Sequence, residues 1–246
     1  MRQIRTFLDA ELIEGKELQL DERAAAHVVR VLRRRVGDRI HVFNGRGTEA
    51  EVELVAVERR GACRARIETV AMVNRESPVR IELIQAVARG EKMDWVVQKA
   101  TELGVAEIIP IRTQRSVAKL APSRADKRAL HWHNVAVAAC EQCGRNELPR
   151  LHVPREMQEW LQESRGNGGG KFILLPGGAG GMQAQPRPPG GVTLLIGPEG
   201  GFTGDEANVA QQAGFVPILL GPRVLRTETA ALAGIAAIQT LWGDFQ

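Results

Sequence analysis

Apolar positions in this chain follow two periods in succession, and the switch between them predicts how it is organised. Up to residue 73 the pattern is mainly extended: Arg39 to Phe43 and Glu49 to Val57 read as strands, with Asn44-Gly45-Arg46-Gly47 as the turn between them. One helical stretch interrupts this module. Asp21 is placed to cap a helix over Glu22 to Arg35, in which Ala25, Val28, Val29 and Leu32 fall on one face.

After the polar run Asn74 to Pro78, which reads as a linker, strand-like and helix-like patterns alternate, and that alternation predicts an α/β domain built on a parallel sheet. Val79 to Ala88 predicts a strand, Lys92 to Leu103 a helix closed by Gly104, and Glu107 to Ile111 a strand. Arg124 to Cys143 predicts a long helix, with Ser123 and Asp126 as its capping box. Pro154 opens a helix through Gln162. Lys171 to Leu175, Val192 to Ile196 and Pro217 to Leu220 are short apolar runs, the mark of strands covered on both faces. Thr203 and Glu206 form a second capping box. The alanine-rich helix Glu228 to Trp242 carries Gly234, so it can pack closely inside the subunit or against a partner. The expected division is a β-rich module over residues 1–73 and an α/β domain over 74–246.

Two loops stand out against this frame: Ile196-Gly197-Pro198-Glu199-Gly200-Gly201-Phe202, and Leu220-Gly221-Pro222-Arg223-Val224-Leu225-Arg226-Thr227-Glu228-Thr229-Ala230. Each follows an apolar strand and precedes a helix. Glycine lets backbone approach a ligand closely and proline stiffens the turn, so the pair suggests a pocket at adjacent strand ends; a tight strand ending is the plainer alternative for either loop alone.

Other apparent motifs fail on spacing. Gly166-Asn167-Gly168-Gly169-Gly170-Lys171 lacks the leading glycine and the trailing Ser/Thr of a phosphate loop, having Arg165 and Phe172 there, and it precedes a strand. Gly178-Ala179-Gly180 follows a strand but continues Gly181-Met182-Gln183, without the third glycine of a dinucleotide fingerprint. Cys140 and Cys143 lie within a helical pattern with no second cysteine pair, and at its far end. Neither a zinc site with His131 and His133 nor a thioredoxin-like redox centre is expected.

Composition narrows the class further. At 246 residues with 43% hydrophobic and 25% charged residues, the chain can bury a large core. No run is apolar enough for a membrane span, no signal-peptide core opens the chain, and three cysteines do not make a disulfide framework, so a cytoplasmic protein is expected. The net charge of +4 says little about partners, but its distribution says more. Arg30, Arg33, Arg34, Arg35 and Arg39 crowd into one stretch against Asp38 alone. That is a solvated helix end or, as preferred here, a patch for an RNA backbone.

The two Gly-Pro loops, the Cys140-Glu141-Gln142-Cys143-Gly144-Arg145 segment, the stretch His27 to Asp38 and the helix Lys92 to Gly104 together resemble the RsmE family of ribosomal RNA methyltransferases, in the SPOUT class, over nearly the whole chain. The resemblance implies an N-terminal PUA-like, RNA-binding β-barrel and a C-terminal α/β domain. In that domain a parallel sheet with helices on both faces is tied in a trefoil knot around S-adenosylmethionine. It also implies a homodimer that methylates N3 of one uridine in the decoding region of 16S rRNA in the small ribosomal subunit. By position it builds the cofactor pocket from Leu175, Pro176 and Gly177, from Ile196, Gly197, Pro198, Glu199, Gly200 and Gly201, and from Leu220, Gly221, Pro222, Val224 and Leu225. The first loop is the least secure, because a Gly/Pro-rich stretch from Gly177 to Gly191 follows it. No metal is implied.

Chemistry selects the catalytic candidates. Uracil N3 becomes nucleophilic only on losing its proton, so a guanidinium that donates to O2 or O4 stabilises the imide anion. Arg226 is the first choice and Arg145 the second. Glu141 and Glu199 are the candidate bases, although either can instead orient an arginine or fix a loop. RNA contacts are expected from Arg30, Arg33, Arg34 and Arg35, and from Arg112 and Arg115. A noncatalytic RNA-binding protein of the same fold, or a methyltransferase acting on another RNA or on a ribose 2′-OH, are the rival readings.

Overall fold

The structure, a computed structural model, describes residues 4–58, 62–116, 122–163, 169–178 and 180–245, without the side chains of 122–124. The chain divides into two units, Met1–Glu76 with Val137–Leu148, and Ser77–Ala136 with Pro149–Gln246. The expected boundary at residue 73 therefore leaves out a later segment. Its attachment is nonlocal: Gly47 N donates to Asn146 O at 3.1 Å and Leu148 N to Gly45 O at 3.1 Å, pairings that no local periodicity announces.

The first unit holds β1 (Arg5–Phe7), β2 (Glu17–Leu20), α1 (Glu22–Ala25), β3 (Arg39–Phe43), β4 (Thr48–Val57) and β5 (Cys63–Met72). The strands form one sheet in the order β1-β3-β4-β5-β2, antiparallel except where β1 lies parallel to β3. In β5, Cys63, Ala65 and Ile67 are buried while Arg64 and Arg66 are exposed, so one face joins a core with Val42, Val52, Leu54 and Val28. Asp21 caps α1 by accepting from Ala24 N at 2.7 Å. The helix expected to reach Arg35 widens into a π-helical stretch, Ala26–Val31, and stops there. Arg33 takes a φ of 55°, a left-handed conformation that ends a helix, so Arg33, Arg34 and Arg35 sit on the turn beyond it while Arg30 stays in its last turn.

The second unit begins with β6 (Ile81–Ala86), α2 (Lys92–Glu102) and β7 (Glu107–Arg112). The long α3 (Pro122–Cys143) starts two residues before its expected beginning, and its last turns belong to the first unit. β8 (Arg150–Leu151), β9 (Arg155–Glu156), α4 (Met157–Glu163), β10 (Gly170–Leu174), β11 (Val192–Ile196), α5 (Gly204–Gln212), β12 (Val216–Ile218) and α6 (Thr227–Trp242) follow. The helix expected from Pro154 begins only at Met157, because Arg155 and Glu156 pair with Ile111 and Arg112 of β7. The run resembling a phosphate loop lies partly outside the described residues, and its Gly170 and Lys171 open β10.

All strands of this sheet run parallel, in the order β12-β10-β11-β6-β7-β8, with β9 also on β7. Successive side chains feed opposite cores. Leu83 and its neighbour Leu194 join one with Val96, Val97, Trp132 and Ile235, whereas Ile84 and its neighbour Leu195 join another with Met157, Leu161, Ala210 and Phe215. Helices α2, α3 and α6 thus cover one face and α4 and α5 the other, which is why these strands read as unbroken apolar runs. Truncating Leu83 or Leu194 to alanine would cost about 2–5 kcal/mol on transfer and cavity grounds. Gly234 of α6 serves this packing within the chain: a Cβ there would lie 2.7 Å from Leu194 Cδ2. The capping box of α5 is formed in full, with Thr203 Oγ1 accepting from Glu206 N at 3.2 Å and Glu206 Oε2 accepting from Thr203 N at 2.8 Å.

Candidate active site

Parallel α/β sheets bind ligands beyond the C-terminal ends of their strands, where loops and helix starts converge. A cavity of about 270 Å³ lies there in the second unit. Its walls are Leu174, Leu175, Pro176 and Gly177 at the end of β10, Ile218 through Leu225 after β12, and Ala230 of α6. Gly177 and Gly221 take φ values of 84° and 80°, conformations that L side chains rarely adopt, and so turn the chain around the opening. Among the described residues, no hydrogen bond engages the backbone N–H of Leu220, Gly221, Val224 or Leu225. The cavity is therefore apolar in its side chains and polar in its unspent backbone. Among the described residues Arg223 is the one charged residue in the wall; it stands inside the second Gly-Pro loop but was not among the expected pocket residues.

Two of the three expected loops meet at this cavity, and the third does not line it. Ile196, Gly197, Pro198, Glu199, Gly200 and Gly201 are held from behind instead. Thr227 Oγ1 donates to Gly197 O at 2.6 Å, Gly201 N to Pro198 O at 2.9 Å, and Arg115 Nη1 to Gly200 O at 3.1 Å and to Phe202 O at 3.3 Å. Glu199 Oε1 accepts from Arg89 N at 3.1 Å and from Lys92 Nζ at 3.3 Å. Burial raises the Glu199 carboxyl, but its own backbone N–H, that of Arg89 and the Lys92 ammonium together hold it below the usual carboxylate range. A carboxylate held in this way is a loop anchor and a poor proton acceptor.

The catalytic candidates stand in opposite surroundings. Arg226, the N-cap residue of α6, is exposed, and among the described residues its side chain makes no ion pair or hydrogen bond. Arg145 belongs to the first unit and is 5% exposed. Its Nε donates to Glu76 Oε1 at 3.0 Å and its Nη2 to Glu76 Oε2; burial works against the guanidinium, and Glu76 outweighs it, raising the Arg145 pKa. Glu141, also in the first unit, accepts from Phe7 N at 2.9 Å, Arg23 Nη1 at 3.0 Å and Thr6 Oγ1 at 3.2 Å through one oxygen.

The expected RNA contacts divide in the same way. Arg30, Arg33 and Arg35 are exposed with no side-chain partner among the described residues, whereas Arg34 lies 4.0 Å from Asp38. Arg112 is given to Glu156 at 2.6 Å and Arg115 to the two loop carbonyls. Trp132 is buried and donates to Asp94 at 2.9 Å, with His131 on the other oxygen of Asp94 at 2.7 Å. Cys140 donates to Glu147 O at 3.7 Å, and its hydrogen bond with the thiol of Cys143, followed by burial, pushes its own thiol up, away from the thiolate a metal needs.

Residues 75–239 match the model of an RNA methyltransferase domain, and residues 20–68 that of an RNA methyltransferase PUA domain. Over 244 residues the chain is 31% identical to ribosomal RNA small subunit methyltransferase E of Buchnera aphidicola from Acyrthosiphon pisum, covering 98% of this chain and 95% of that one. It is 35% identical to the Bacillus subtilis protein of the same name over 222 residues, 86% of this chain and 85% of that one. The crystal structure of the Neisseria gonorrhoeae protein of that name, bound to S-adenosylmethionine, matches over 100% of both chains with a TM-score of 0.92 and 36% identity. A Legionella pneumophila structure solved with the same cofactor matches over 100% of both chains, with a TM-score of 0.95 and 39% identity.

Proposed function

We propose that this chain, which belongs to the ribosomal RNA small subunit methyltransferase E family, binds S-adenosylmethionine in the cavity between Gly177 and Leu225 and methylates N3 of a uridine in the decoding region of 16S rRNA. The observation that carries this reading is the cavity: apolar walls and, among the described residues, unspent backbone N–H groups and a neighbouring arginine with no internal partner. Those features fit the cofactor. Leu174, Leu175, Ile218 and Leu219 suit the faces of an adenine ring, and the N–H groups of Leu220, Gly221, Val224 and Leu225 suit its ring nitrogens and the cofactor's carboxylate. When bound, the cofactor supplies a methyl group on a positively charged sulfur.

The protein's own residues do the rest. Arg226 donates to a uracil carbonyl oxygen and stabilises the imide anion left when N3 loses its proton, a contribution of the kind worth about 10²–10³ in rate. Water accepts that proton in this reading, since both candidate carboxylates are engaged. Glu141 and Arg145 act as anchors inside the first unit and Glu199 as an anchor of its loop. The first unit, PUA-like, presents Arg30, Arg33 and Arg35 to RNA phosphates; Arg34 joins them at the edge of its pair with Asp38, and Arg112 and Arg115 keep internal roles. A homodimer with a trefoil knot in the α/β unit, working in the cytoplasm where ribosomes assemble, completes the proposal.

Mass spectrometry of 16S rRNA nucleosides tests it directly. Small subunits from a strain lacking the gene should gain one N3-methyluridine on incubation with the purified protein and S-adenosylmethionine. Methyl on a ribose or on another RNA would replace the proposed target, and the absence of both transfer and cofactor binding by calorimetry would leave an RNA-binding protein only.

A further inference from the structure

The two Gly-Pro loops are joined by a buried hydrogen-bond relay. It starts at Gln85, a polar residue at the end of the apolar strand β6, with no exposed surface. Its Nε2 donates to Ala86 O at 2.9 Å and to Thr227 Oγ1 at 2.9 Å, and Thr227, 4% exposed, donates its own hydroxyl hydrogen bond to Gly197 O at 2.6 Å. The chemistry dictates the direction. A threonine hydroxyl has one proton; with that proton given to a carbonyl, Thr227 must accept from Gln85, which has to present its NH₂ side. Removing Oγ1 therefore leaves a carbonyl and an N–H without partners at once.

A second tie runs parallel to the first. Lys92 Nζ lies 3.3 Å from Glu199 and 3.5 Å from Glu228, bridging the first loop to the residue after Thr227. Both ties end on the first turn of α6, directly after Arg226 and the cavity wall. Arg226 caps that helix only through its backbone, Ala230 N donating to Arg226 O at 2.8 Å, so the direction of its side chain follows from where the turn is held.

We infer that Gln85 and Thr227 are positioning residues for methyl transfer: their relay to Gly197 sets the start of α6 and thereby aims Arg226 at the reacting base. The inference rests on the reading of Arg226 and the cofactor cavity given above. Because all of the cavity wall but Ala230 comes from the ends of β10 and β12, the relay acts on the chemical step more than on cofactor binding.

The test is a double-mutant cycle. Thr227→Val, which keeps the shape and loses the oxygen, should lower kcat about tenfold or more while KM for S-adenosylmethionine stays within about threefold, and Thr227→Ser should restore most of kcat. In an Arg226→Ala background, Thr227→Val should cost less than about twofold, because the group it aims is gone. Full multiplication of the two losses, or an unchanged kcat in Thr227→Val, would overturn the relay. If Thr227→Val fails to fold, Gln85→Met takes its place in the same cycle under the same two criteria. Calorimetry with S-adenosylhomocysteine separates the underlying reading: wild-type protein that neither binds it nor methylates overturns the cavity assignment, whereas normal wild-type behaviour with a multiplicative cycle overturns the relay alone.

Discussion

The interior of the first unit and the rim of the cavity in the second are both rich in arginine, yet the two regions treat charge oppositely. In the first, the buried Arg5 and Arg145 and the more exposed Arg75 are matched to Glu49 and Glu76, and the half-exposed Arg23 to the buried Glu141. In the second, Arg226 is exposed and has no internal partner among the described residues. A charge already neutralised inside the fold has little left to give a transition state, and removing it exposes its partner; a charge left free in a ligand-facing loop contributes little to stability and much to chemistry.

The largest effect that would break this contrast is at Arg145. Arg145→Met leaves Glu76 without its partner and should cost about 3–5 kcal/mol in urea unfolding, with turnover of the folded fraction within about threefold of wild type. Loss of turnover in a stably folded variant would move Arg145 back among the catalytic groups. Next comes Arg226→Ala, expected to lower the rate of methylation of small subunits by about 10²–10³ with no change in the unfolding midpoint.

Acidity sharpens the same comparison. Burial pushes the Glu49 carboxyl up, but bonds from Arg75, Arg5 and Asn146 prevail and bring it from 4.5 down to about 2. The folded value lies below the unfolded one, so its contribution to stability is complete above about pH 4.5 and is lost as pH falls towards 2. The urea midpoint should fall through that window, and Glu49→Gln should flatten the dependence while lowering stability at neutral pH. The smallest effect is expected at Glu199: Glu199→Gln keeps an acceptor for Arg89 N and should change kcat by no more than about threefold. A hundredfold loss there would identify a base.

Much of this contrast was open to reading in the sequence. The alternating strands and helices after residue 78, the capping box at Thr203 and the pocket loop at Leu220 to Leu225 follow from spacing, capping chemistry and strand-end glycines, all of which act within a few residues, whereas the loop at Leu175 to Gly177 was implied only by the family resemblance. The strand Cys63–Met72 was missed although Cys63, Ala65 and Ile67 alternate with arginines, and Gln85 stands as a polar interruption in an apolar run. Local signals misled where tertiary pairing prevailed. Pro154 promised a helix start, yet Arg155 and Glu156 were captured as strand by β7.

The sequence by itself thus determined the two classes of unit, the alternation of strands and helices in the second and the glycine-proline loop that walls the cavity, because each depends on residues close together along the chain. Only the tertiary structure decided which charges remain available. Glu141 finds Phe7 and Arg23, Arg145 finds Glu76, Arg115 finds Gly200, and Thr227 joins Gln85 to Gly197. Each partner is remote in sequence, and a side chain's freedom to act is set by the neighbours that folding brings to it.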